Sequence, residues 1–209
     1  MILSSDSFND KGAIPGRFAF GVPDPKTHVK LSDNRNPHFA WQDLPAGTKS
    51  LALVCHDGDV PSKPDDVNQE GRQIPATLPR TDFYHWLLVD LKPDAGPIRE
   101  GEFSSGVTAG GKSGPAGPRG TRQGVNDYTS WFASDKDMAG EYFGYDGPCP
   151  PWNDSIVHRY VFTLYALGVE TCPVEGAFRG ADLLRAIQPH VLGSAKLTGS
   201  YSLNPAVKA

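Results

Sequence analysis

Long apolar runs are missing from this 209-residue chain, and no stretch approaches the ~18 residues needed to cross a bilayer. That leaves no expectation of a helical membrane span. The opening segment MILSSDSFNDKG has no basic stretch leading into an apolar one, so a secretory signal is not expected and a cytoplasmic location is. Cysteine is scarce. Cys55, Cys149 and Cys172 make an odd count without Cys-x-x-Cys spacing, which argues for reduced thiols rather than a disulfide framework. Charge of one sign is never concentrated: the net charge is −4 and no block of five like charges occurs. A binder of nucleic acid usually carries a clustered basic face, so no nucleic-acid partner is expected. No helical His-x-x-x-His and no clustered Cys/His spacing points to a metal, and no cofactor is expected.

Glycine and proline, by contrast, are plentiful, with 23 and 19 residues spread between short apolar runs. This distribution reads as turns linking strands. Strands are expected at 17–20 and 29–31, then at 50–56 (SLALVCH), a continuous apolar run that suits burial on both faces. Residues 85–91 (HWLLVDL) read likewise. In 157–167 (VHRYVFTLYAL) a period of two puts His158, Tyr160, Phe162 and Leu164 on one face. Helical pattern appears only late, at 181–187 (ADLLRAI) and, after Pro189, at 190–195, before a closing strand at 197–202. Strands that do not alternate with long helices imply a largely antiparallel sheet. One domain spans 1–209, with a core at about 17–202 and two long loops, 62–84 and 104–124. Loops of that length inside a compact domain are functional excursions or tolerated insertions. The aromatic stretch between Asp127 and Tyr145 is expected to pack over a sheet edge.

Ionisable residues gather at the ends of these core strands. Asp57 and Asp59 follow the first apolar run in His-Asp-Gly-Asp-Val-Pro, which closes on Pro61. His85 opens the next run. Gly-Pro-Cys-Pro-Pro, holding Cys149 and Pro151, is a stiff turn because its prolines fix φ and remove donors. His158 and Tyr160 share one strand face. Imidazolium and phenol donors suit a phosphate-like group, while the aspartates would accept from a ring N–H and fix its orientation. Each piece alone has a bland reading: a turn for Asp-x-Asp, a satisfied structural residue for a lone strand histidine.

Together these segments resemble the phosphatidylethanolamine-binding family, in its bacterial, Raf-kinase-inhibitor-like branch. The resemblance rests on SLALVCHDGDVPS, YHWLLVDL, EGEFSSGV, GYDGPCPPWN, HRYVFTLYAL and HVLGSAKLTGSYS, in family order. It implies a mainly β fold: a central antiparallel β-sheet with a smaller second sheet and short C-terminal helices. It also implies a ligand pocket drawing on Asp57, Asp59, Pro61, His85, Cys149, Pro151, His158 and Tyr160. Gly58 stands where the family usually has proline, and the 62–84 insertion is longer than in compact members.

The expected function is therefore non-catalytic binding of a small anionic or phosphorylated ligand, a phospholipid headgroup among the options. The resemblance adds regulatory inhibition of a kinase or protease partner and a homodimer. The alternative is a metal-free acid–base hydrolase, or a metal enzyme, using the same His/Asp pocket.

Overall fold

The computed structural model describes residues 1–207 and, among them, nine strands and two short α-helices. The strands are β1 (Ile2–Ser4), β2 (Gly21–Asp24), β3 (His28–Leu31), β4 (Ala40–Gln42), β5 (Ser50–Pro61), β6 (Arg80–Leu91), β7 (Arg122–Gln123), β8 (His158–Leu167) and β9 (Val191–Tyr201). The helices are α1 (Tyr128–Trp131) and α2 (Gly180–Ile187). An antiparallel five-stranded sheet, ordered β7-β6-β5-β8-β9, forms the centre. Two two-stranded sheets, β1-β4 and β2-β3, accompany it.

Strand β5 lies in the middle of that sheet because its sequence can face apolar neighbours on both sides. Leu51, Leu53 and Cys55 join a cluster with Trp86, Leu88, Phe162, Leu164 and Phe39 on one face. Ala52 and Val54 point the other way, into a cluster with Leu87, Val89, Phe178, Leu183 and Ile187. The alternation is the pleat itself. Leu183 and Ile187 stand four apart, which places both on the sheet-facing side of α2. Fully burying side chains of this size stabilises by about 1.5–3 kcal/mol each.

Several boundaries differ from the sequence expectation. Asp57-Gly58 is not a turn: β5 runs on to Pro61 through a register shift between Asp57 and Val60 that absorbs the glycine. Its partner residues 80–84 are strand, so the first long connection is 62–79 rather than 62–84. The expected helix at 190–195 is the start of β9, where pairing of Leu167 with Val191 and Ala166 with Gly193 overrides the helix-start signal of Pro189. Pro189 sits instead in a 3-10 turn, Gln188–His190. Residues 17–20 form a 3-10 turn (Gly16–Phe18) leading into β2. Strands β1, β4 and β7 are too short to register as sequence patterns.

Candidate functional site

The central strands bring the polar residues to one end of the sheet. Asp57 sits on β5 opposite Tyr160 of β8. The shifted register after Asp57 is closed by its own carboxylate, whose Oδ1 accepts from the Asp59 backbone N–H at 2.7 Å. His85 lies on the neighbouring β6, its ring 5.0 Å from that of Tyr160. The Pro-rich turn presses against this end. A Cβ at Gly147 would stand 2.0 Å from the Phe18 carbonyl, so no other residue fits. Two phenols pin the region: Tyr128 Oη donates to the Gly147 carbonyl at 2.8 Å, and Tyr145 Oη to that of Phe18 at 2.6 Å.

His158 is wholly buried between two carboxylates, Nδ1 2.6 Å from Asp57 Oδ2 and Nε2 3.1 Å from Asp154 Oδ2. Burial opposes its charge, but Asp154 and Asp57 outweigh that and lift its pKa to about 9. The ring is an imidazolium at neutral pH, and both of its N–H groups are taken. Arg80 continues the row with 2.5 and 3.1 Å contacts to Asp154. Asp57, His158, Asp154 and Arg80 thus form a chain of alternating charge.

His85 differs. A carbonyl only accepts, so the 2.8 Å contact to the Asp146 carbonyl places the proton on Nδ1. Nε2 then offers a lone pair and has no partner within the described residues. Desolvation lowers the His85 pKa despite the nearby charge of Asp57. The Tyr160 hydroxyl likewise has no partner, and burial keeps it protonated by pushing its pKa well up. Cys149 is pushed up to about 12 by burial alone, which makes it a thiol rather than a nucleophile.

A cavity of about 660 Å³ opens onto these groups, a size typical of small-molecule sites. Of the residues singled out from sequence, Asp57, Pro61, His85, Cys149, Pro151, His158 and Tyr160 line it. Asp59 does not. Its carboxylate is held by Arg159 at 2.7 and 2.9 Å on the outer face and touches neither histidine. His158 lines the cavity without a free donor, so its role is to orient and neutralise Asp57. Asp57, His158 and Asp154 lie in a row rather than around a common point, and no group of three potential metal ligands is found among the described residues.

Sequence reasoning missed Asp154, four positions before His158 in a segment with no periodic signal. It also missed Asp82, Asp127 and the aromatic wall of Phe83, Tyr128 and Trp131. The aromatic stretch beyond Asp127 therefore supplies part of the cavity as well as edge packing: Tyr128 stacks on Phe20 at 4.6 Å. The 62–79 connection contributes Pro64, Val67 and Asn68 to the lining, whereas none of the 104–124 segment reaches it.

A central antiparallel sheet whose strand ends surround a deep, mostly apolar cavity defines a β-sheet ligand-binding protein. The phosphatidylethanolamine-binding protein profile matches residues 4–202, and the chain belongs to that family. It is 33% identical over 201 residues to the UPF0098 protein of Methanothermobacter thermautotrophicus, covering 96% of this chain and 98% of the relative. It is 30% identical over 202 residues to the UPF0098 protein YbhB of Escherichia coli, covering 97% and 100%. Among solved structures, a phosphatidylethanolamine-binding protein homologue of Chlamydia trachomatis superposes with TM-score 0.63 at 25% identity, covering 96% and 95%. Escherichia coli YbcL, at 21% identity and TM-score 0.64, shares the fold. Among the described residues no helix is long and apolar enough to cross a membrane.

Proposed function

We propose that this chain is a non-catalytic binding protein for a small oxyacid, such as a phosphate ester, whose head is held by His85 and Tyr160. What supports this reading is that His85 and Tyr160, both buried residues lining the cavity, have no hydrogen-bond partner for Nε2 and Oη among the described residues. Polar atoms left free on otherwise buried, fixed side chains are placed to bind a ligand's oxygens in exchange for water. Tyr160 donates to an oxyanion directly. His85 does so once protonated, and an arriving anion supplies the favourable charge that raises its pKa. Asp57 is tolerable beside an anion because His158 already compensates its charge.

Binding is therefore coupled to proton uptake by His85, and affinity falls as pH rises above that ring's lowered pKa. Calorimetric titration of the purified, EDTA-treated chain with methyl phosphate, at pH 6 and pH 8, tests this. His85→Ala should weaken binding by about 1.5–3 kcal/mol, the worth of a charge-assisted hydrogen bond, and Tyr160→Phe by about 1 kcal/mol. Unchanged affinity in both variants would remove the head site from the protein.

A further inference from the structure

The glycine-rich connection 104–124 stays outside the cavity, yet it is packed rather than loose. Its glycines press backbone to backbone against residues 140–143. Gly110 and Gly111 take φ of 76° and 99°, in the left-handed region open to glycine. A Cβ at Gly111 would stand 2.4 Å from the Glu141 carbonyl, and one at Gly140 2.0 Å from that of Gly110. Lys112 follows at once and is pinned by its own backbone. Its N–H donates to the Glu141 carbonyl at 2.8 Å, and its carbonyl accepts from the Phe143 N–H at 3.3 Å. The side chain is only 16% exposed.

The Lys112 ammonium ends on Asp146. Nζ lies 2.9 Å from Asp146 Oδ2 and also donates to the Tyr145 carbonyl. Asp146 is wholly buried, and among the described residues Lys112 is the one cation within ion-pair distance of it. Two amides complete the carboxylate: Asn34 Nδ2 donates to Oδ1 and Asn126 Nδ2 to Oδ2, each at 2.7 Å. The backbone of the same residue grips the cavity histidine. His85 Nδ1–H donates to the Asp146 carbonyl at 2.8 Å, and the Asp146 N–H to the His85 carbonyl at 3.0 Å. Asp146 thus joins a loop that never touches the cavity to a ring that lines it.

Burial gives this contact an electrical consequence. An ionised carboxylate so deep, left without a cation, favours a proton on an imidazole nearby. The carboxylates that bear on His85 are Asp57 of β5, Asp127 at the head of α1, and Asp146. Asp57 meets His158 at 2.6 Å, Asp127 faces Arg179 at 3.9 Å, and Asp146 meets Lys112. Tyr128 and Tyr160, whose rings lie 5.5 and 5.0 Å from that of His85, are kept protonated by burial, as is Cys149 in the same cavity wall. Asp82 in that wall is exposed to solvent. Each acid acting on the ring has a cation of its own, so desolvation prevails there.

We propose that Lys112 is a positioning residue for the cavity: it anchors and neutralises Asp146, which in turn fixes the orientation of the His85 ring and leaves its resting form uncharged. What His85 does for a ligand rests on the function proposed above; the effect of Lys112 on the ring does not.

The test is a titration of the His85 ring nitrogens by heteronuclear NMR in the full chain, the signal being assigned by its loss in His85→Ala. The parent is compared with Lys112→Met, Lys112→Arg and the double variant Lys112→Met/Asp146→Asn. Lys112→Met removes the charge, and His85 should then take up its proton about one pH unit higher. A merely structural lysine would change stability and leave this titration where it was. Lys112→Arg keeps the charge and should titrate like the parent, and the double variant, which loses both charges together, should do the same. Identical titrations in the parent and Lys112→Met overturn the proposal. So does an arginine variant that behaves like the methionine one. If Lys112→Met does not fold, the double variant carries the test, and a displaced His85 titration in it overturns the neutralising role. Methyl phosphate supplies a second reading. The pH at which its binding weakens should move up with the ring in Lys112→Met; a profile that stays put overturns the link from Lys112 to the ligand. A parent chain that binds no methyl phosphate overturns the head site and leaves the ring titration to decide the role of Lys112.

Discussion

His158 makes stability depend on pH in a direction that can be worked out from the geometry. Its folded pKa is raised from 6.5 to about 9 because Asp154 and Asp57 outweigh the burial penalty. Below pH 6.5 the ring is charged in both folded and unfolded chains, and the ion contacts contribute in full. Between 6.5 and 9 only the folded state retains the proton, so stability falls as pH rises. Above 9 the contribution is gone. At 1.36 kcal/mol per pH unit the difference amounts to about 3 kcal/mol. Urea denaturation of the parent chain and His158→Gln at pH 6, 7.5 and 9.5 reads this directly. The parent should lose about 3 kcal/mol more than the variant across that range. At pH 6 the variant itself should be about 3–5 kcal/mol less stable, because buried Asp57 loses its cation while Asp154 keeps only Arg80. Referring each value to the variant cancels the other titrating groups. Among these is His85, whose lowered pKa acts against stability at acid pH. A parent and variant that respond identically to pH would refute the buried imidazolium.

Two further outcomes follow from local geometry. Asn153→Ala removes four hydrogen bonds to the 62–79 strap, at a cost of about 2–3 kcal/mol. Hydrogen exchange at the Asn68 amide should accelerate while the β5–β8 amides stay protected; equal protection would show that the strap is held elsewhere. The thiols of Cys149 and Cys172 are pushed up to about 12 and about 11, and Cys55 is raised well above its ordinary value, all chiefly by burial. Native protein at pH 8 should resist iodoacetamide and denatured protein should react at all three. Rapid native labelling of Cys149 would show a reactive thiol.

The core strands were legible because their apolar runs are long enough to speak for themselves. SLALVCH, HWLLVDL and HRYVFTLYAL each lie within one strand of the central sheet. Local turn chemistry misled where pairing could absorb it, as with Asp57-Gly58 inside β5 and Pro189 at the mouth of β9. In the site, Asp57 and His158 were legible as residue types at strand ends, but their contact spans 101 positions and Asp59 looks equivalent on paper. The bulge decides between the two aspartates, turning one to the cavity and the other to Arg159. Asp154 carried no signal at all, because its importance comes from lying across a ring already claimed on the other side.

The placement of β5 has a kinetic side. The strand that carries Asp57 is paired on both edges and buried on both faces, so the floor of the cavity cannot yield to admit a ligand. The rest of the lining includes residues of the 62–79 connection, Leu31 and Trp131, and that connection is fastened mainly by hydrogen bonds to Asn153 rather than by a sheet. For a ligand bound as proposed, residence time would be set by a different part of the chain from the one that sets recognition. If the proposed site holds a ligand, substitutions at Asn153 should alter its dissociation rate, and those at His85 its choice of ligand.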